Sequence, residues 1–325
     1  MRRRETPAQL TAKFAPPLPS LKQYKRINIK QVDAFTDIPL MGNPAGVVLN
    51  AQSLSDQQMQ AIAREMAVSE TAFVLPAAHP GADMRIRSFS SEAEVPPSGH
   101  VIVASFHVMA VDGLYAMSNP GPYEFNLETR SGLTPVRVEK GLTRMEVFFG
   151  LPVPEFNRAG QFKLDVMRIM NITLEEFDAR LPMVMTNYLF VPVRRLHTIF
   201  AIKPNFFALA QLLTNKKLDG LCVFTTETIE RKSTVHSRFF APAMGINEDP
   251  VTGAVNGPLG VYLFEQGLLE GKAIDEMITI TGEQGDVIGR KGRVAIHINI
   301  RGTAVKSVMV GGQAITTLDG EMIIP

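Results

Sequence analysis

Cysteine and tryptophan are nearly absent from this sequence of 325 residues, which has one cysteine, Cys222, and no tryptophan. A single cysteine cannot form an internal disulfide, and such usage is typical of a reducing compartment, so we expect a cytoplasmic protein. Zinc ribbons and thioredoxin-like redox sites, which need paired cysteines, are excluded. The six histidines never stand at the close spacing of H-E-x-x-H. The sequence therefore predicts no metal site.

Long apolar runs and a strong net charge are missing as well. No stretch approaches the ~20 apolar residues of a membrane-spanning helix, and the formal net charge is only +1. A balanced charge gives no general attraction to nucleic acid or to anionic membranes. We therefore expect no nucleic acid and no membrane as a partner.

The first 26 residues depart from this balance, because they carry seven basic side chains and a single acid. They also contain four prolines and show no clean period, which predicts a flexible basic extension over residues 1–26. A targeting peptide is an alternative, but the segment lacks the apolar core of a secretory signal and the serine content of a mitochondrial one. A nucleic-acid-binding arm is a weaker alternative, because only Phe14 and Tyr24 are available to stack on bases.

The remaining chain mixes alternating strands with single helices and has no regular β-α-β rhythm, which favours an α+β fold. It divides into two parts joined near Pro152, after which the pattern starts again. Ser55 and Gln58 form a capping box that predicts a helix over 55–67. Further expectations are helices over 100–112, 164–170, 206–213 and 253–265, a strand over 198–202, and a hairpin turn at Asp319-Gly320.

Two segments, residues 94–99 and 248–253, share the pattern E-x-P-x-[S/T]-G, and each runs into a predicted long helix. We interpret them as the same point in a two-fold internal repeat. The first N–H groups of a helix are unpaired and carry partial positive charge, so two facing helix starts can clamp a small carboxylate. The alternative is that both segments are ordinary proline- and glycine-rich helix entries.

Several stretches, in the same order along the chain, resemble the phenazine-biosynthesis PhzF-like family. They are V-D-A-F-T at 32–36, G-N-P-A-G-V-V at 42–48, I-A-R-E-M-A-V-S-E-T-A-F-V at 62–74, E-V-P-P-S-G-H at 94–100, G-I-N-E-D-P-V-T-G at 245–253, G-E-Q-G at 282–285, G-R at 289–290 and V-G-G at 310–312. The resemblance extends from about residue 27 to the end of the sequence.

The resemblance implies the diaminopimelate-epimerase-like fold, an α+β fold of two pseudo-symmetric halves. Each half is a curved sheet wrapped round a central helix, and the active site lies in the cleft between them. The first domain would comprise residues 27–151 plus 313–325, because the last strand returns to it, and the second domain residues 152–312. The resemblance also implies a homodimer that isomerises a small acid by moving a proton, without a metal or an organic cofactor.

Carried over to this sequence, the resemblance assigns catalytic roles to Glu70, His100 and Asp249. A carboxylate between an amphipathic helix and an apolar strand, such as Glu70, should be partly desolvated, which raises the pKa of a general acid or base. A histidine can pass protons near neutral pH, whereas Asp249 at a helix entrance should stay ionised and orient a partner or hold a substrate amine. The structural alternatives are a solvated turn for Glu70, a packed ring for His100 and a helix cap for Asp249.

The residues at the two helix entrances are the expected substrate-binding group, namely Ser98, Gly99, Thr252, Gly253 and Ala254. Ser98 and Thr252 stand where racemase relatives have two opposed cysteines, so two-thiol racemisation is excluded. Ala254 stands where the phenazine enzyme has a serine that contacts substrate, which argues against the phenazine substrate itself.

Together these features predict an isomerase that catalyses cofactor-independent proton transfer on a small carboxylic acid bound between the two domains. The transfer is either a double-bond shift or an epimerisation. The alternative is a catalytically silent member of the same fold that binds a small molecule or another protein. Retention of Glu70, His100 and Asp249 favours the enzyme, whereas the replacements at Ser98 and Ala254 leave room for the silent protein.

Overall fold

The computed structural model describes residues 24–269, 271, 273–274 and 276–325. Most of the predicted basic extension, residues 1–23, therefore lies outside the described residues. The first strand begins at Lys25, two residues before the expected ordered start.

The strands of the described residues are, in chain order, β1 (Lys25–Ala34), β2 (Asn43–Val48), β3 (Glu70–Leu75), β4 (Met84–Phe89), β5 (Glu94–Val95), β6 (Gly121–Thr129), β7 (Gly132–Lys140), β8 (Met145–Leu151), β9 (Asn157–Arg158), β10 (Val184–Met185), β11 (Tyr188–Pro192), β12 (Gly220–Thr225), β13 (Val235–Ala241), β14 (Ile246–Asp249), β15 (Ala273–Ile274), β16 (Met277–Gln284), β17 (Gly292–Arg301), β18 (Ala304–Gly312) and β19 (Ala314–Ile324). The α-helices are α1 (Asp56–Met66), α2 (Gly99–Val111), α3 (Lys163–Met170), α4 (Leu196–Ala201), α5 (Phe206–Lys216) and α6 (Gly253–Glu265).

The strands repeat one pairing pattern twice. In the first half β1, β2, β3, β4, β6, β7 and β8 are neighbours in that order, with parallel pairs at β2–β3 and β4–β6. In the second half β10, β11, β12, β13, β16, β17 and β18 follow the same order, with parallel pairs at β11–β12 and β13–β16. The protein is therefore an α+β fold of two pseudo-symmetric halves.

Individual side chains repeat with the strands. Glu128 on β6 and Glu283 on β16 each accept hydrogen bonds from two successive backbone N–H groups of the loop that precedes β4 or β13. Each glutamate also pairs with a basic side chain on the neighbouring strand, Arg85 in the first half and His236 in the second. The same loop anchor thus occurs once in each half.

α2 and α6 are the central helices, and nearly all of their side chains are buried. Their sequences are apolar on every side, which is the pattern of a helix enclosed by other elements. α2 packs against β1, β2, β3 and β8, and α6 packs against β17 and β18. Each half of the sheet therefore curves round its own helix, while α1 and the group α3 to α5 cover the outer faces.

The halves meet where β8 pairs antiparallel with β18. Phe149 of β8 lies opposite Val310 of β18. The two residues also hold equivalent places within their own halves, because Phe149 lies opposite Val136 and Val310 lies opposite Ile296. The pseudo-two-fold axis therefore passes through the pair of Phe149 and Val310.

The helices follow the sequence patterns closely, with one exception. The capping box at Ser55 and Gln58 is present, and α1 begins directly after it. Residues 198–202, expected as a strand, belong mostly to α4, so that expectation is wrong. The side chain of Arg238 binds the carbonyl oxygens of Ile199 and Ile202 at 2.8 and 2.9 Å. Two carbonyls three residues apart can face one guanidinium at the end of a helix but alternate direction along a strand.

The hairpin expected at Asp319-Gly320 is also wrong. Both residues lie inside β19, which returns to pair with β1 along its length. Asp319 lies beside Lys30 of β1, with an ion pair of 3.3 Å. Long-range strand pairing thus outweighs the local turn signal.

Among the described residues, no helix is both long enough and apolar enough to cross a bilayer. The same part of the chain holds no group of three or more His, Cys, Asp or Glu side chains arranged to bind a metal ion.

Gly311→Ala is expected to destabilise the protein at the junction of the halves. A Cβ at this position would lie 2.0 Å from the carbonyl oxygen of Val147 and would force β18 away from β8. We expect the free energy of unfolding, measured by chemical denaturation, to fall by at least about 2 kcal/mol. Gly320→Ala on β19 is the control, because nothing lies within 4 Å of its Cβ position, and it should change stability by less than about 0.5 kcal/mol. Equal stability of the two variants would contradict this account.

Candidate functional site

Glu70 is the first residue of β3 and lies beside the start of α2. Its half-buried carboxylate accepts a hydrogen bond of 2.6 Å from the hydroxyl of Ser88 and one of 3.3 Å from the backbone N–H of Ser98, both at Oε2. In the part of the chain that the structure describes, no donor binds Oε1. One oxygen is therefore fixed, while the other is left for a ligand.

His100, the second residue of α2, lies between two serine hydroxyls. Its Nε2 is 3.0 Å from Oγ of Ser69, and its Nδ1 is 2.7 Å from Oγ of Ser98. A hydroxyl can donate or accept, so the ring proton can occupy either nitrogen without breaking this arrangement. Ser98 contacts His100 through its hydroxyl and Glu70 through its backbone N–H, and Ser69 is the residue before Glu70. The same two serines therefore lie next to both the glutamate and the histidine.

Asp249, the last residue of β14, brings a second carboxylate to the site. Its Oδ1 accepts a hydrogen bond of 2.9 Å from Asn43, and its Oδ2 accepts one from the hydroxyl of Thr252. Burial raises the pKa of Asp249, although His100 and these two hydrogen bonds oppose the shift. The loss of water thus outweighs the local donors in setting the direction of this shift, and the expectation that Asp249 stays ionised remains a prediction. The charge of Glu70 also raises this pKa, so the three residues assigned catalytic roles lie close enough to interact.

A buried amide network, not found from the sequence, holds the loop that carries Asp249. The side chain of Gln284 donates to the carbonyl oxygen of Asp249 at 2.9 Å and accepts from the backbone N–H of Thr252 at 3.2 Å. Asn256 donates to Gln284 at 2.9 Å, and Asn43 reaches across from the first half. Gln284 and Asn43 stand in two of the stretches that carry the family resemblance, but their partners are distant in sequence, so no local pattern assigns them.

The starts of α2 and α6 meet over one aromatic ring. A Cβ on Gly99 would lie 2.2 Å from the ring of Phe149, and one on Gly253 would lie 2.9 Å from it. Ser98 and Thr252, at the N-cap positions, make no side-chain hydrogen bond to the backbone N–H groups of their own helices. The first N–H groups of both helices are therefore left uncapped by these side chains, which suits an anion.

The expected substrate-binding residues all lie around this meeting point. Ser98 and Thr252 turn their hydroxyls to His100 and Asp249. Ala254 is the second residue of α6, and its methyl group is half-buried.

An arginine–glutamate pair holds each helix-entry loop, at equivalent points of the two halves. Arg87 of β4 donates two hydrogen bonds of 2.8 Å to Glu94, and Arg238 of β13 donates bonds of 2.9 and 2.7 Å to Glu248. Glu94 and Glu248 are the first residues of the two E-x-P-x-[S/T]-G segments. The repeated pattern therefore marks the anchor of each loop as well as the start of each helix.

The chain matches the model of the family described as phenazine biosynthesis-like protein over residues 32–320. An uncharacterized isomerase of Clostridium acetobutylicum is 32% identical to it over 307 residues, which is 92% of this chain and 99% of the relative. An uncharacterized isomerase of Salmonella typhimurium is 34% identical over 302 residues, which is 91% of this chain and 98% of the relative.

Solved structures of related proteins show the same fold. A phenazine biosynthesis protein of the PhzF family from Bacillus anthracis has a TM-score of 0.81 and 28% sequence identity. The match covers 92% of this chain and 100% of the Bacillus anthracis chain. A hydroxyproline epimerase from Agrobacterium vitis has a TM-score of 0.58 at 9% identity, with 93% and 92% of the two chains covered. The family resemblance and the diaminopimelate-epimerase-like fold predicted from the sequence are confirmed.

Asp249→Asn is expected to change how stability depends on pH. Burial raises the carboxyl pKa above its unfolded value of 3.8, so between the two pKa values the folded state holds more protons than the unfolded state. The contribution of Asp249 to stability therefore falls as the pH rises through that range. We expect the free energy of unfolding of the wild type, minus that of the variant, to decrease with rising pH above about 4.

Asp56→Asn is the control with the opposite sign. The hydrogen bond from Arg87 lowers the pKa of Asp56, so the contribution of this side chain is lost as the pH falls. Denaturant unfolding at a series of pH values measures both differences. Slopes of the same sign in the two variants would contradict the assignment of a raised pKa to Asp249.

Proposed function

Because the chain belongs to the phenazine biosynthesis-like protein family, we propose that it is an isomerase that moves a proton between two carbon atoms of a small carboxylic acid. The relatives from Clostridium acetobutylicum and Salmonella typhimurium, which match it along almost their whole length, are described as isomerases. The observation that carries the proposal is the meeting of two uncapped helix starts over Phe149, next to a carboxylate with one free oxygen.

Substrate binding, in this proposal, uses the backbone of the two helix starts. The N–H groups around Gly99 and Gly253 receive the substrate carboxylate, because helix N-termini favour negative charge. The same donors stabilise the extra charge that develops on the carboxylate when a neighbouring carbon loses a proton. The glycines are needed because any Cβ would meet Phe149.

Glu70 is the proposed base. Its free Oε1 takes a proton from the carbon next to the carboxylate or conjugated with it, so that a C–H bond breaks, an O–H bond forms and the electron pair moves into the conjugated system. The same oxygen then returns the proton to another carbon, and the double bond has shifted. His100, held by the hydroxyls of Ser69 and Ser98, is the second side chain at the site that can give or take a proton.

The asymmetry of the two halves supports a single base. Both oxygens of Asp249 are engaged by Asn43 and Thr252, which suits an orienting role. Glu70 faces Ala45 across the parallel pair β2–β3, whereas the equivalent residue of the second half is a glycine, Gly220. A double-bond shift by one base therefore fits the site better than inversion between two opposed bases.

A catalytically silent binding protein is the second candidate. The methyl group of Ala254 supplies no hydrogen bond at the first turn of α6, so a ligand is held there by fewer polar contacts. Binding of carboxylic acids without proton exchange is the property that distinguishes this candidate.

Deuterium exchange tests the proposal. Purified protein in D2O is incubated with small unsaturated cyclic and amino carboxylic acids, and proton NMR records the loss of carbon-bound hydrogen. We expect exchange in at least one acid, and Glu70→Gln should slow it roughly 100-fold or more, since a general base contributes that much.

Glu65→Gln, an exposed glutamate on α1, is the matched control and should exchange at the wild-type rate. Exchange that is equally fast in Glu70→Gln would reject Glu70 as the base. Acids that bind tightly yet show no exchange with the wild type would favour the silent protein.

A further inference from the structure

The strand pairings of the two halves are equivalent residue by residue, but the side chains at the site depart from this symmetry. In the parallel pair β2–β3, Ala45 lies opposite Glu70. In the equivalent pair β11–β12, Tyr188 lies opposite Gly220. Where the first half has a small side chain beside a carboxylate, the second half therefore has a tyrosine beside a glycine.

Phe239 fills the space that the glycine leaves. A Cβ on Gly220 would lie 2.2 Å from the ring of Phe239, and Tyr188 packs edge-on against that ring with centroids 5.4 Å apart. Phe239 is also the strand partner of Asp249. Tyr188, Phe239 and Asp249 thus form one wall of the site, which we call the aromatic wall. The counterpart of Phe239 by register is Ser88 of the first half, whose hydroxyl donates a hydrogen bond to Glu70 of the same half.

The hydroxyl of Tyr188 is a hydrogen-bond donor without an acceptor in the described part of the chain. The side chain is half-buried, and its interactions are the ring contact with Phe239 and the charges of Asp219 and Asp249. Burial, aided by these two charges, raises the pKa of Tyr188 to about 12, so the hydroxyl keeps its proton at neutral pH. Among the described residues, the buried side-chain atoms without a partner do not include this hydroxyl, so it reaches solvent and can exchange a water molecule for a ligand acceptor.

We propose that Tyr188 is a specificity-determining residue whose hydroxyl donates a hydrogen bond to the bound substrate, beside Asp249 and across the site from Glu70. The proposal rests on the proposed function, since it takes the same cleft as the substrate site. The substrate carboxylate lies at the helix starts and its acidic C–H bond faces Glu70. The substrate class is then a small acid that carries a second hydrogen-bond acceptor, an oxygen or an imine nitrogen, on the side away from that bond.

The first experiment needs no ligand. The sequence has five tyrosines and no tryptophan, so protein labelled with 3-fluorotyrosine gives a simple fluorine NMR spectrum, in which Tyr188→Phe identifies one signal. We expect Asp249→Asn to shift the signal of Tyr188 and to leave that of the exposed Tyr115 in place. An unchanged fluorine chemical shift of Tyr188 in Asp249→Asn would overturn the proposal, because the hydroxyl would then not belong to the aromatic wall.

The second experiment compares benzoate with its 2-, 3- and 4-hydroxy derivatives, which differ only in the position of a second acceptor. We expect at least one hydroxybenzoate to bind the wild type about tenfold more tightly than benzoate, the gain of one hydrogen bond. Tyr188→Phe should abolish this gap, while Tyr115→Phe, at a side chain 41% exposed, should keep it. Absence of the gap in the wild type, or its survival in Tyr188→Phe, would overturn the proposal.

Glu70→Gln separates this inference from the proposed function. The variant lacks the base but keeps the aromatic wall, so it should retain the preference for the hydroxybenzoate while losing deuterium exchange. A different result is a wild type that prefers a hydroxybenzoate through Tyr188 and yet catalyses no deuterium exchange in any acid. That result would support the proposed specificity of the binding site and reject the isomerase.

Discussion

The close pairing of β8 with β18 is the constraint on which the rest of the structure depends. It joins two separately wrapped halves along a pseudo-two-fold axis and places Phe149 on that axis. Because α2 and α6 begin at glycines that pack on the same ring, their N-termini face each other with no room for side chains. The anion site that we propose at the two helix starts is therefore a consequence of how the halves join. It needs no basic side chain of its own.

The two halves share the same strand pairing and loop anchors, but they differ in the side chains at the candidate site. The loop anchors Glu128 and Glu283 repeat closely, so both halves position their loops alike. At the site itself the equivalent residues differ. Glu70 is matched by Gly220, and Ala45 by Tyr188. One half therefore presents an open carboxylate and the other an aromatic surface.

The sequence predicted features that arise from local interactions and missed those that depend on distant contacts. Neighbouring residues specify the capping box at Ser55, the limits of α6 and the repeated E-x-P-x-[S/T]-G segments. The structure has these features where they were expected. The turn at Asp319-Gly320 failed because β1 outcompetes a local hairpin. The partners of Asp249 were not foreseen because Asn43 lies 206 positions away in the chain.

The placement of the arginines keeps the full charge of a guanidinium away from the two site carboxylates. A guanidinium bound to a carboxylate holds its pKa low, as Arg87 does for Glu94. In the described residues, Arg87 and Arg238 pair with the loop glutamates, and no arginine or lysine forms an ion pair with Glu70 or Asp249. The site carboxylates instead bind neutral donors, a serine hydroxyl and a backbone N–H for one, an amide and a threonine for the other. Such donors fix the geometry of the site carboxylates without the full charge of a guanidinium, so strong ion pairing is confined to the loop glutamates, where it orders the helix-entry loops.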